Sequence, residues 1–241
     1  MTGKTHKQGG MLCAIIGYIL LYKYNLLLDA NMYLQFLVMY PFCLWGSVAS
    51  DLDHHWQACP QKDVISFIIN KLLHITAPIQ KACEEKGDRK SFKYRFAKTF
   101  NARHRSWQTH SDLTLGVMIY LLYLILNRKI FVSELDVALA SLMLVGVCIG
   151  VIAHFALDMI TPEGIYITIL VVLNRLFNLK IPEKLHLVPK IEYFATGGKW
   201  EQFIQKLLKV VTALATVYLI FGIFWTGWMA YVPFEISIGG K

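Results

Sequence analysis

Eight histidine and aspartate side chains, spread over the first two thirds of this 241-residue chain, have the types and spacing of metal ligands. His154 and Asp158 stand four residues apart, so on a helix an imidazole and a carboxylate share one face and can grip one cation. Asp51-Leu52-Asp53-His54-His55 puts carboxylates and imidazoles side by side. Two carboxylates that close repel unless a cation or a proton stands between them. Spacing leaves open whether His54 or His55 takes part. His104 and His110 flank Arg105-Ser106-Trp107-Gln108-Thr109. Five intervening residues do not place both rings on one straight helical face, so a turn into a helix is expected, with Thr109 or Ser111 as its cap. Arg105 suits a phosphate, and Trp107 is expected as an interfacial anchor. His6 completes the set. Imidazole and carboxylate without thiolate fit zinc, with manganese or iron as alternatives. So many ligands make room for two or three ions, which activate water and clamp the oxygens of a phosphoester.

The segments between these residues explain how they could meet. Apolar runs at Met11–Ala30, Met32–Ala49, Leu113–Leu126, Val137–Ala156 and Leu207–Val232 read as membrane spans, since about 20 apolar residues cross a bilayer as a helix. Ile165–Phe177 is too short and reads as interfacial. His6 precedes the first run, Asp51 to His54 follow the second, His104 and His110 precede the third, and His154 and Asp158 end the fourth. Two crossings return a chain to its starting face, as do four, so all the candidates fall on one face. Val64, Ile65, Phe67, Ile68, Leu72, Leu73 and Ile75 recur at helical spacing and predict an amphipathic stretch at the membrane surface, ending near Pro78. Glu84–Lys98, highly charged around Gly87, is expected to be a solvated hairpin or loop.

Composition agrees. Hydrophobic residues make up 56% and the mean hydropathy is +0.46, too apolar for an ordinary soluble domain. The five cysteines form no CxxC pair, which argues against a zinc-thiolate site or a disulfide framework. The net charge of +8 is concentrated in loops next to spans. That pattern speaks for membrane topology and anionic headgroups, and no nucleic-acid partner is expected. Lys4, Lys7, eleven Lys/Arg from Lys62 to Arg105 and seven from Arg175 to Lys209 lie on the ligand side, against Arg128, Lys129 and Lys241 opposite. The positive-inside rule then puts the ligands in the cytoplasm.

Taken together, Thr5-His6 with Gly10, Asp51-Leu52-Asp53-His54, His104-Arg105 with Thr109-His110-Ser111, and Gly150 followed by His154-x-x-x-Asp158-x-x-Thr161-Pro162-x-Gly164 resemble the YdjM-like membrane-bound metal-dependent hydrolases. Thr196-Gly197-Gly198-Lys199-Trp200-Glu201 resembles a downstream segment of that family. The ordered His/Asp pattern is also distantly similar to zinc-dependent phospholipase C and P1-type nucleases. The resemblance favours His54 over His55 and implies an integral membrane hydrolase. Two departures stand out: Ser50 replaces the usual proline before the Asp-x-Asp-His motif, and the His104–His110 spacing is one residue longer than the commonest form.

The expectation is therefore an all-α, polytopic helical bundle in the inner membrane, with about five spans and an interfacial metal site facing the cytoplasm. Residues 1–164 form the metal-site core, 165–206 an interfacial basic segment and 207–241 the last span. The expected ligands are His6, Asp51, Asp53, His54, His104, His110, His154 and Asp158, with Asp51 or Asp53 as general base and Arg105 as phosphate clamp. The expected reaction is hydrolysis of a phosphoester in a membrane lipid or another membrane-proximal substrate. A metal-ion carrier or sensor is the alternative, although a carrier wants ligands near the bilayer midplane.

Overall fold

The computed structural model describes residues 2–24, 26, 31–54, 56–58, 62–102, 106–161, 164–177, 179, 181–185, 187 and 197–227. His55, His104 and Arg105 lie outside them. The described chain is mostly helical: α1 (Gly3–Lys23), α2 (Met32–Ala49), α3 (Val64–Leu73), α4 (Ala77–Glu85), α5 (Phe92–Phe100), α6 (Asp112–Leu126), α7 (Glu134–Met159), α8 (Thr168–Phe177) and α9 (Lys199–Val217). Short 3₁₀ turns, Ser50–Asp53 and Trp56–Ala58, follow α2, and α9 runs on as a π-helical turn over Tyr218–Phe224. The strands β1 (Ile165–Tyr166) and β2 (Lys184–Leu185) pair antiparallel.

Among the described residues, three helical stretches are long and apolar enough to cross a membrane: Met32–Asp53, Glu134–Met159 and Lys199–Gly227. Two further expected spans differ. The 21 residues of α1 begin eight positions before the apolar run and carry Lys4, His6, Lys7 and Lys23. The 15 residues of α6 rise only about 22 Å at about 1.5 Å each, short of a hydrocarbon core of about 30 Å. The loop between α2 and α6 is more ordered than its charge implied. The apolar periodicity breaks after Leu73, because Pro78 starts a new helix where its missing N–H costs nothing. The charged segment after it forms α4 and α5, joined through Gly87 at φ +69°.

Helices α1, α2 and α7 form the centre of the bundle. A Cβ at Gly150 of α7 would lie 2.1 Å from the Cys43 carbonyl oxygen and 2.6 Å from the Ser47 nitrogen of α2. Only glycine lets the two backbones touch there. On the third helix, a Cβ at Gly10 would sit 2.5 Å from Ser47 Cβ. Ser47 is therefore the point where all three helices meet. At one end of the bundle the core is apolar, with Ile15, Tyr18, Met39, Leu219 and Ile223 buried together. The other end is polar and carries the site.

Candidate metal centre

Four segments deliver histidine or aspartate to that end. His6 comes from the first turns of α1. Asp51 and Asp53 come from the 3₁₀ turn that continues α2. His110 sits just before α6, whose cap is Ser111, its Oγ accepting from Leu113 N at 3.3 Å. His154 and Asp158 stand one turn apart near the end of α7, and Thr161 then ties off that helix by donating to the Asp158 carbonyl at 2.8 Å. His6, Asp53, His110, His154 and Asp158 are all about 1% exposed or less. The Asp51 side chain alone among these six keeps a face to solvent, at 14%.

The ligand atoms converge in two overlapping groups, His6 with Asp51 and His154, and His110 with His154 and Asp158. His154 Nε2 lies 3.2 Å from His110 Nε2 and 3.2 Å from Asp158 Oδ2. His6 Nε2 is 3.5 Å from Asp158 Oδ1, and His110 Nε2 is 3.6 Å from Asp158 Oδ2. Asp51 Oδ1 stands 3.8 Å from His110 Nε2 and 4.0 Å from His154 Nε2. The His6 ring stacks on His154 with centroids 3.7 Å apart.

The hydrogen bonds fix which ring nitrogens face inward. His154 Nδ1 lies 2.8 Å from the Ser47 carbonyl oxygen, an acceptor only, so Nδ1 carries the proton. In the neutral ring, Nε2 then holds a lone pair. It points at a carboxylate and at a second imidazole, an arrangement that repels without a positive charge between them. Thr109 Oγ1 donates to Asp53 Oδ2 at 2.8 Å and lies 3.0 Å from His110 Nδ1, whose proton it can therefore accept. His110 Nε2 then also turns a lone pair inward. Ligand bonds of about 2.0–2.2 Å at tetrahedral angles separate ligand atoms by roughly 3.3–3.6 Å. The observed spacings match a cation with shared imidazole and carboxylate ligands. His6 Nδ1 and Asp53 Oδ1 are buried with no hydrogen-bond partner among the described residues.

The expected ligands divide on this geometry. His6, Asp51, His110, His154 and Asp158 belong to the converging groups. Asp53 and His54 do not. Asp53 Oδ2 stands 3.4 Å from His110 Nδ1, the face turned away from the centre, and accepts from Ser106 N and Thr109. It is placed to orient the His110 ring rather than to join the groups. The His54 carbonyl accepts from Asn70 Nδ2 at 2.7 Å, and the same amide reaches the Leu52 carbonyl at 2.6 Å, so α3 holds the Asp51–His54 turn in place. Trp107 corrects the expectation of an interfacial anchor. It is 3% exposed, and its indole donates to the Thr99 carbonyl at 2.9 Å. It pins the His110 turn to α5.

Residue spacing gave no sign of two partners. One is the Ser47 carbonyl, a backbone atom with no signature of its own. The other is Glu201, 2% exposed, 195 positions from the His6 whose helix it touches. Only the likeness of the Gly197-Gly198-Lys199-Trp200-Glu201 run to a family segment singled it out.

No curated protein and no solved structure matches the chain. The family model described as YdjM inner membrane protein matches residues 1–229, from before His6 to beyond the last described helix, and the chain therefore belongs to the YdjM inner membrane protein family.

Proposed function

We propose that this protein is a membrane-bound metal-dependent hydrolase that cleaves a phosphoester of a phospholipid or of another substrate at the membrane surface. One observation carries the reading: His6, Asp51, His110, His154 and Asp158 come from four separate segments and converge. A fold held together only by packing has no need to bury such a set. A bound divalent ion, zinc by the ligand chemistry, supplies Lewis acidity and activates water at neutral pH. His110, His154 and Asp158 would hold it, and His6 with His154 and Asp51 forms the second, overlapping group. Asp51, with its face to solvent, takes up the proton released from the attacking water. Asp53 keeps the His110 ring turned inward. Arg105, five residues before His110, is the phosphate clamp. Two ions are compatible with the two overlapping groups.

The same reading takes α1 and α6 as spans beside the three longer helices. The chain then crosses five times in the inner membrane, with the centre on the cytoplasmic face. A lipid headgroup there meets the site without the lipid leaving the bilayer.

One feature favours a second reading. Apart from Asp51, the converging side chains are closed off from solvent, as in sites that bind an ion without chemistry. An ion sensor or carrier would look like this. Purified protein assayed on a panel of phospholipids and phosphodiesters separates the two. The hydrolase requires metal-dependent turnover that chelator abolishes and that falls at least about 10–100-fold in Asp158→Asn. Metal-loaded wild type that cleaves nothing in the panel, yet carries the ion into liposomes, decides for the carrier.

A further inference from the structure

The start of α9 lies across the helices that carry His6 and Asp158. Glu201 Oε1 accepts hydrogen bonds from Thr2 N at 2.6 Å, Thr2 Oγ1 at 2.7 Å and Thr5 Oγ1. Its other oxygen accepts from Gly197 N at 2.6 Å. One turn on, Gln205 Nε2 donates to Thr5 Oγ1 at 2.7 Å. The same stretch touches α7: Leu157, the neighbour of Asp158, packs on Ile204, with Trp200 and Leu208 beside it. Leu157 also fills the space over Gly9, where a Cβ would come within 2.6 Å.

Two features make this more than ordinary packing. A carboxylate only 2% exposed is costly to bury unless its hydrogen bonds serve a purpose. Further, α1 lacks the usual features of a helix start. Its N-cap residue Thr2 makes no side-chain cap, and no acidic residue lies in its first turn. The first N–H groups of a helix need acceptors, and its positive end favours a negative charge. Glu201 supplies both from the far end of the chain, and Thr5, which it holds, is the residue before His6.

We infer that Glu201 is the positioning residue for His6, and that the Gly197–Gln205 segment is a brace locking α1 and α7 in the register that lets His6 meet Asp158 and His154. This rests on the reading of His6 as a ligand. The Glu201 carboxylate itself bonds to Thr2 and Thr5 at the start of α1 and to Gly197 of its own turn, so its loss and the loss of His6 should be the same event.

The test is a double-mutant cycle on full-length protein in detergent, with Co²⁺ affinity measured by chelator competition and the Co²⁺ absorption spectrum recorded alongside. Glu201→Gln keeps the shape, but its amide turns a donor toward donors. It should weaken Co²⁺ binding about 10-fold or more and shift the spectrum toward that of His6→Ala. The His6→Ala/Glu201→Gln double variant should bind within about twofold of His6→Ala. Thr5→Val removes one hydroxyl without changing shape and should move affinity and spectrum in the same direction by a smaller factor. It keeps the test valid if Glu201→Gln misfolds. Multiplying losses in the double variant would overturn the inference, as would wild-type binding in both Glu201→Gln and Thr5→Val. Wild type that binds no Co²⁺ or Zn²⁺ at all would instead sink the metal centre itself, and this inference with it.

Discussion

His110 and His154 turn the same ring nitrogen inward, yet different neighbours hold the two rings. The Ser47 carbonyl holds His154. Thr109, with Asp53 behind it, holds His110. The contrast gives Asp51 and Asp53 different tasks although they stand two residues apart. The reason is local geometry: in a 3₁₀ turn, with about three residues per turn, side chains two apart point in well-separated directions. Asp51 thus reaches toward His110 and His154 while Asp53 reaches behind His110. Sequence spacing marked both carboxylates and could not assign them, because it says that they point apart and not which of them faces the centre. The four-residue step from His154 to Asp158 was legible, since α7 continues unbroken through both. The prediction at this scale is that Asp53→Asn weakens metal affinity by about 10–100-fold, the usual cost of losing an outer-shell partner. The number of ions bound and the Co²⁺ spectrum should stay as in wild type. Metal analysis showing one fewer ion in Asp53→Asn would make Asp53 a ligand after all.

Apolar runs announced most of the longer elements, and their bounds shifted for identifiable reasons. α1 and α9 begin eight positions ahead of their apolar runs because their first turns are polar by necessity. Those turns carry His6, Thr5 and Glu201, whose partners are other polar groups of the protein. The charged stretch reads as a solvated hairpin or loop; its charge hides that both arms, α4 and α5, are helical. Its buried face depends on Gln80 and Cys83 of α4 and on Tyr94, Ala97 and Thr99 of α5, too few residues in each arm to set a visible period. At the start of α3, Asp63 accepts from Ser66 N at 2.8 Å and from the Trp45 indole at 3.3 Å. Desolvation pushes its carboxyl up, but these bonds and the Ser66 hydroxyl outweigh it and hold Asp63 below the usual carboxylate range. A capped α3 keeps Asn70 on the Leu52 and His54 carbonyls. The most consequential element contact is at Gly150, which sets the approach of α7 to α2 and hence the His154–Ser47 bond. Gly150→Ala must push the helices apart. We expect a loss of about 1–3 kcal/mol in thermal unfolding, the usual cost of overpacking, together with weaker metal binding. A Cβ at Gly116 in α6 would meet nothing within 4 Å. Gly116→Ala is the control and should leave metal binding unchanged while stabilising slightly, by about 0.5–1 kcal/mol. Equal behaviour of the two variants would remove Gly150 from the account.

For the molecule as a whole, the question is which face of the membrane the centre occupies. All the contributing segments end at one pole of the bundle: the start of α1, the turn after α2, the turn before α6 and the end of α7. The turn from Asn127 to Ser133, which joins the far ends of α6 and α7, therefore lies at the opposite pole. This is the placement that counting apolar runs anticipated. Parity along the chain was readable because each ligand cluster abuts a run, whether or not every run proves to be a full crossing. Orientation is a separate matter, resting on the Lys/Arg excess at the ligand pole. Single cysteines at positions 7, 90 and 129, in a background freed of the native five, should report both at once. With membrane-impermeant maleimide applied to intact cells, position 129 should label, and positions 7 and 90 should label only after the membrane is opened. Labelling of 7 and 90 from outside, with 129 protected, would keep the centre intact but move it to the outer face and exclude a cytoplasmic substrate. Labelling of 7 and 129 from the same face would contradict the common pole, and with it the convergence on which the metal centre depends.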